Sequence, residues 1–172
     1  METGNVSVCV ILYRMKALAQ NKKAKFDYSI LETIEAGIVL QGFEVKAVKS
    51  GKMNLTGSYA RVKGNEVWLV NASIQPYQPG NTPKDYDPER TRHLLLTKKE
   101  IKRLTGKEHE SGLTLVPLRA YIKGRLPAGR HGLVKLELGL GRHKKTRDKR
   151  EVTKKREAER EIGRALKKSI RG

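Results

Sequence analysis

Residues 26–40 read FDYSILETIEAGIVL, and the spacing of their apolar side chains decides the fold class. Even positions carry Phe26, Tyr28, Ile30, Ile34, Ala36, Ile38 and Leu40, and only Glu32 breaks the series. Odd positions carry Asp27, Ser29, Thr33, Glu35 and Gly37. A period of two describes a long strand with one buried face, because successive side chains on a pleated strand point to opposite sides. Gly37 beside Glu35 predicts a bend or bulge near that point.

On the C-terminal side, QGFEVKAVKSGK keeps Leu40, Phe43 and Ala47 (with Val48) at helical spacing, and Gly51 is placed to close the helix. SYARVKGNEVWLV reads as a hairpin turning at Lys63-Gly64-Asn65, with Val67 and Leu69 alternating against Trp68 and Val70. Four prolines between Pro76 and Pro88 mark an irregular surface loop. Thr97 and Glu100 stand in capping-box register ahead of a helix that should end at Gly106. GLTLVPLRAYI and GLVKLELGL are two further strands, the second alternating Leu136, Leu138 and Leu140 with Lys135, Glu137 and Gly139. Short strands, turns and no βαβ rhythm point to a mainly β protein built as an antiparallel β-barrel with short added helices. Its buried face should include Tyr28, Ile30, Ile38, Leu69, Leu136 and Leu138. Among small barrels the OB type is the one most used on nucleic acids. The boundaries read as an N-terminal extension over 1–20, a barrel over 21–141 and a basic tail over 142–172. The first fourteen residues read as dispensable, with Met15 an alternative start.

The chain's 37 Lys and Arg against 18 Asp and Glu give a formal charge of +19. From Arg142 onward 14 basic and 5 acidic residues supply +9 of it, so the body is basic as well. Charge of this size selects polyanionic partners, since each phosphate neutralised releases a counterion. A single cysteine, Cys9, leaves no disulfide framework or Cys-based metal cluster. The four histidines, His93, His109, His131 and His143, lack ligand spacing, so neither metal nor cofactor is expected. No apolar run approaches the ~20 residues of a membrane span. The apolar stretch VSVCVIL has a signal peptide's character but the wrong flanks, with Glu2 before it and Arg14 and Lys16 after it. A cytoplasmic protein without membrane contact is the reading. GLGRHKK lacks the glycine spacing and Lys-Ser or Lys-Thr ending of a phosphate loop, and no other catalytic pattern appears.

Binding features are better supported. NKKAKF sets Asn21, Lys22, Lys23 and Lys25 at the start of the first long strand. DPERTRHLLL sets Arg90 and Arg92 beside Leu94, Leu95 and Leu96, and arginines next to an apolar patch suit phosphates and unstacked bases. Two of those three leucines are expected in the core. Glu35 on a basic face is by default a solvated side chain. Three functions meet these features: an RNA-binding factor, a ribosomal or assembly protein that binds rRNA through an OB-like barrel, and an RNA-modifying or RNA-cleaving enzyme.

NKKAKFDYSILETIEAGIVLQGFEVKAVKSGKMNLTGSYA, then DPERTRHLLL, then HKKTRDKR closely resemble the SsrA-binding proteins, also called small protein B, from about Asn21 to the end. The resemblance implies an OB-like barrel that binds transfer-messenger RNA. It further implies delivery of that RNA to stalled ribosomes for trans-translation, with no catalysis by the protein itself. Carried over by position, it nominates Asn21, Glu35 and Leu95 for the tRNA-like domain of that RNA. It likewise assigns His143, Lys144, Lys145, Arg147, Asp148, Lys149 and Arg150 to small-subunit rRNA near the decoding centre. His143 takes a glycine position of the family pattern. Arg147 stands where a ring can occur, so guanidinium stacking would replace ring stacking.

The tail is too polar to fold alone and is expected to be disordered when free. Its stripe of Ala158, Ile162, Ala165, Leu166 and Ile170 fits one helix face formed on a binding surface, such as the empty mRNA channel. Gly163 within the stripe costs ~1 kcal/mol against Ala, which works against a persistent free helix. The long loop over 122–133 adds arginine and lysine to the footprint. A monomer bound to RNA is the expected state.

Overall fold

The computed structural model describes residues 17–108, 112–124 and 132–145, together with Asp148, Thr153, Glu157, Ala158 and residues 160–162. In chain order the elements are β1 (Ala17–Gln20), α1 (Lys22–Asp27), β2 (Tyr28–Ile38), α2 (Gly42–Lys49), β3 (Met53–Asn54), β4 (Tyr59–Lys63) and β5 (Glu66–Val70). There follow β6 (Ser73–Ile74), β7 (Arg92–Leu95), α3 (Lys98–Glu108), β8 (Leu113–Lys123) and β9 (Leu133–His143). Seven strands form one antiparallel sheet in the order β1-β8-β4-β5-β7-β2-β9, and β9 pairs again with β8. The short strands β3 and β6 make a separate ribbon.

Several elements follow the expectations closely. The β4–β5 hairpin turns at Gly64, whose φ of +63° is open to glycine at little cost. Gly51 closes α2 with φ +82°. At the start of α3 the Glu100 carboxylate accepts from the Thr97 N–H at 2.8 Å, and the Glu100 N–H donates back to the Thr97 hydroxyl. That helix passes through Gly106 and continues to Glu108. Leu69, Leu94, Leu136 and Leu138 lie in the main core with Ile34, Ala36, Ala47 and Val48. Full burial of each such leucine is worth ~1.5–3 kcal/mol.

The stretch over 26–40 departs from its expected form in two places. Phe26 and Asp27 belong to α1, not to a strand, because Asn21 caps a helical turn there. The pairing of β2 with β9 then shifts between Ile30 and Glu32, a bulge at Leu31, which is 64% exposed. A one-residue shift moves every following side chain to the other face. Ile34 and Ala36 therefore enter the main core, whereas Tyr28 and Ile30 pack in a second cluster with Ala24, Val116 and Leu118. Glu32, the apparent fault in the alternation, takes the side of Ile34 and meets Arg103 and Lys107 of α3. At Gly37 the register is regular. The missing side chain there makes room for Leu95, whose Cβ would lie 3.1 Å from a Cβ at residue 37.

Two boundaries also move. Ala17–Gln20, placed in the N-terminal extension by the sequence, adds β1 to the edge of β8. At the other end the β9 ladder continues past Gly141 to His143, which pairs with Tyr28.

Candidate nucleic-acid interface

The basic helix α1 is seated on the sheet by its apolar underside and held at both ends. Asn21 is only 4% exposed. Its Oδ1 accepts from the Ala24 N–H at 3.0 Å, and its Nδ2 donates to the Leu55 carbonyl at 2.9 Å. Both side-chain functions are thus spent inside the protein, so Asn21 sets the helix in place and presents little of itself to a ligand. Beneath the helix, Ala24 meets the cluster of Tyr28, Ile30, Val116 and Leu118. Gly141 of β9 admits that cluster, since a Cβ there would stand 2.8 Å from the Ser29 carbonyl and 3.0 Å from Ile30 Cδ1. Lys22, Lys23 and Lys25 remain exposed.

At the helix's C-terminal end, the Lys144 N–H donates to the Asp27 carbonyl at 2.8 Å and its Nζ to the Lys25 carbonyl at 3.0 Å. A cation at that end also suits the helix dipole. His143 sets its ring edge-on to Tyr28, with centroids 5.2 Å apart. The first residues assigned to the tail are therefore part of the body.

Glu35 is the centre of a second group. It stands on β2 opposite Glu137 of β9, which stands opposite Arg119 of β8. The Tyr121 hydroxyl donates to Glu35 at 2.6 Å, Lys123 Nζ reaches both carboxylate oxygens at 2.9 Å, and Lys135 lies 4.0 Å away. Burial by itself would raise the Glu35 pKa, but the bonds from Tyr121 and Lys123 and the charges of Lys123 and Lys135 outweigh it and hold it below the ordinary carboxylate value. Burial and the adjacent Glu35 carboxylate push the Tyr121 hydroxyl up, so it stays a donor. Arg119 pairs with Glu137 and lies 5.4 Å from the centroid of the Tyr121 ring. Leu95, 54% exposed, flanks Gly37 on the neighbouring strand. Glu35 and Leu95 thus share one side of the sheet. Leu94 is buried and Leu96 packs against the core, so two of the three leucines are structural.

Arg119, Tyr121 and Lys135 were not singled out from the sequence, and Lys123 entered only as the lysine of the 122–133 loop. The signal of Arg119, Tyr121 and Lys123 is present in LRAYIK, where residues of period two carry the polar groups and Ala120 is buried.

Arg90 and Arg92 need correction. Arg92 is fully buried, and its Nε and Nη2 donate to Glu44 Oε1 at 3.0 and 2.8 Å. Its remaining donors meet the carbonyls of Ala72, Arg90 and Pro88. Arg90 pairs with the same carboxylate from a partly exposed position. Glu44, 0% exposed in α2, also receives the Gln41 N–H and the Tyr86 hydroxyl. Burial would raise its pKa, but Arg90, the Gln41 N–H and Arg92 together lower it. The two arginines therefore bind the proline-rich loop to α2, and Arg92 has no donor left for a phosphate.

Of the tail, Asp148, Thr153, Glu157, Ala158 and residues 160–162 are helical, and all are exposed, Ile162 included. Lys145 is exposed as well. Arg147, Lys149, Arg150 and Leu166 lie outside the described residues, as do most of the 122–133 loop and residues 1–16. Among the described residues no group of three His, Cys, Asp or Glu side chains is placed to hold a metal ion. No helix among them is long and apolar enough to cross a membrane.

Comparison with known proteins places this geometry. The family model described as SmpB protein matches residues 18–168. The chain is 52% identical to an SsrA-binding protein of Bacillus cytotoxicus over 88% of this chain and 92% of that one. It is 51% identical to an SsrA-binding protein of Chloroflexus aggregans over 90% of this chain and 93% of the other. A solved structure described as "tmRNA-SmpB: a journey to the center of the bacterial ribosome" superposes with a TM-score of 0.59 at 47% identity, covering 74% of this chain and 84% of that one. The match runs through sheet and tail alike, and the chain belongs to the SmpB family of SsrA-binding proteins.

Proposed function

We propose that this protein binds the tRNA-like domain of transfer-messenger RNA and brings it to stalled ribosomes for trans-translation, acting as a binding factor without catalysis of its own. The carrying observation is family membership across both the sheet and the basic tail. The ring of pairings from β8 through β4, β5, β7, β2 and β9 back to β8 supports an OB-like barrel as the RNA-holding body. On that body, α1 offers Lys22, Lys23 and Lys25 to phosphates, while Glu35 and Leu95 share an adjoining face. Glu35 is already ionised and held by Tyr121 and Lys123, so it suits a fixed acceptor for a base edge or ribose hydroxyl. The tail, from Lys145 on, is the part that lies in the empty mRNA channel of the small subunit, with Ile162 and Leu166 on its contacting stripe. The work is done in the cytoplasm, where ribosomes are.

The test is recovery of RNA with the protein from its own cells. A single abundant RNA of a few hundred nucleotides with a tRNA-like end supports this reading. Recovery of rRNA alone, in constant proportion to ribosomes, would make it a ribosomal or assembly protein.

A further inference from the structure

The short paired strands β7, β5 and β4 carry a second group of side chains that the family-derived positions leave unassigned. Trp68 of β5 stands directly opposite His93 of β7, and opposite Arg61 of β4 on its other side. Val67, Leu69 and Leu94 are buried in the core, so Trp68, His93 and Leu95 occupy the opposite face by strand alternation. The Trp68 and His93 rings lie 5.0 Å apart at 56°. Arg61 is exposed, and among the described residues no carboxylate pairs with it. Tyr59 and Val39, both exposed, border the group, and Leu95 joins it to Gly37 and Glu35 on β2.

Trp68 is the protein's single tryptophan, and it is spent on an outward sheet face rather than in the core. An indole beside an imidazole, with an exposed guanidinium across the ladder, has the chemistry of a stacking platform with a phosphate clamp. The +19 charge of the chain opposes a basic protein as occupant and favours RNA. The same face continues into the Leu95–Glu35 group, so a strand of RNA held there runs on toward Trp68.

We infer that the outward face of β4, β5 and β7 is a binding site for an unstacked nucleobase and its phosphate, with Trp68 and His93 stacking the base and Arg61 holding the phosphate. This site extends the surface assigned above and so rests on the proposed function. Either the tRNA-like domain or rRNA has bases of this kind, and the test separates them.

Because Trp68 is the only indole, its fluorescence reports the site in the unaltered full chain. We expect quenching when the tRNA-like fragment of transfer-messenger RNA is added, over the concentration range in which labelled fragment binds by anisotropy. Trp68→Ala should weaken that binding about tenfold, as loss of one stacked base does, whereas Trp68→Phe should keep most of it. Arg61→Ala should reduce the salt dependence of binding by about one phosphate contact. A parallel titration with a decoding-region fragment of small-subunit rRNA assigns the base to rRNA if only that RNA quenches Trp68. Fragment binding by anisotropy without quenching by either RNA, and with Trp68→Ala unchanged, overturns the platform and leaves the proposed function intact. If the tRNA-like fragment does not bind at all, the proposed function fails, and quenching by the rRNA fragment alone decides the platform.

Discussion

Arg92 offers the sharpest separation between a residue that touches RNA and one that holds the fold. Replacing it by Met keeps the aliphatic volume and removes every donor. Glu44 Oε1 would then keep Arg90 and the Tyr86 hydroxyl but lose two guanidinium bonds. The carbonyls of Ala72 and Pro88 would lose the guanidinium bonds they accept in the protein interior. Removing one partner of a buried pair costs ~3–5 kcal/mol, because the remaining charge stays desolvated. For a body of this size that corresponds to a melting temperature lower by about 10–20 °C. Arg90→Ala should cost less than half as much, since Arg90 reaches solvent and Arg92 would still face Glu44. Arg92→Met combined with Glu44→Leu should recover part of the loss.

The pH dependence has a definite sign. Glu44 in the folded protein lies below its ordinary value of 4.5, so its contribution is complete above that pH and is lost as pH falls through the lower folded value. In Arg92→Met the carboxylate loses a neutralising partner and titrates higher, so acid unfolding should begin at a higher pH. The assay is urea denaturation between pH 3 and 7 beside RNA affinity measured well below the melting temperature. At that temperature the folded variant should bind RNA as the parent does. A variant with unchanged stability and weakened RNA binding would refute the structural role and restore Arg92 to the interface.

Gly141→Val drives methyl groups into Ser29 and Ile30, and should cost ~1–3 kcal/mol while speeding amide exchange in α1, read by hydrogen exchange. Gly106→Ala, with nothing among the described residues within 4 Å of the added carbon in the body of α3, should raise stability by ~1 kcal/mol in the same denaturation assay. Asn21→Ala should cost ~1–2 kcal/mol of stability and weaken RNA binding together, whereas weakened binding at unchanged stability would show direct contact. A chain cut after Lys145 should keep full stability and lose tagging on stalled ribosomes, while a cut after Gly141 should lose both, because Arg142, His143 and Lys144 complete the body.

Much of the fold was legible where a local rule acts alone. The hairpin at Gly64 and the Thr97 box each depend on residues within a few positions. The bulge in β2 was not, although Glu32 marked it: an acidic residue in an apolar series signals a shift of face as readily as an isolated fault. The helix α1 was hidden because its six residues include just one buried side chain, Ala24, which is too few for a period. Arg92 misled because its partner Glu44 is 48 positions away and nothing local reveals the pairing. An arginine beside leucines reads equally as a phosphate ligand and as a buried guanidinium. Only the carboxylate across the fold decides.

The two bulges account for where the binding helix sits relative to the tail. One shifts β2 between Ile30 and Glu32, opposite Leu140 and Gly141 of β9, and the other shifts β8 between Pro117 and Arg119, opposite Glu137 and Leu138 of the same strand. Together they turn Tyr28, Ile30, Val116 and Leu118 to the side away from the main core, where Ala24 covers them. In unbroken register those side chains would have no helix to meet, and Lys22, Lys23 and Lys25 would have no fixed base. The same strand β9 then carries the chain past that cluster to His143 on Tyr28 and Lys144 on the end of α1. The tail consequently departs from the C-terminal end of the lysine-bearing helix, not from a free edge of the sheet. Under the proposed function, an RNA engaged by α1 meets the tail at its root, so the surface that holds the RNA also sets the direction in which the tail enters the ribosome.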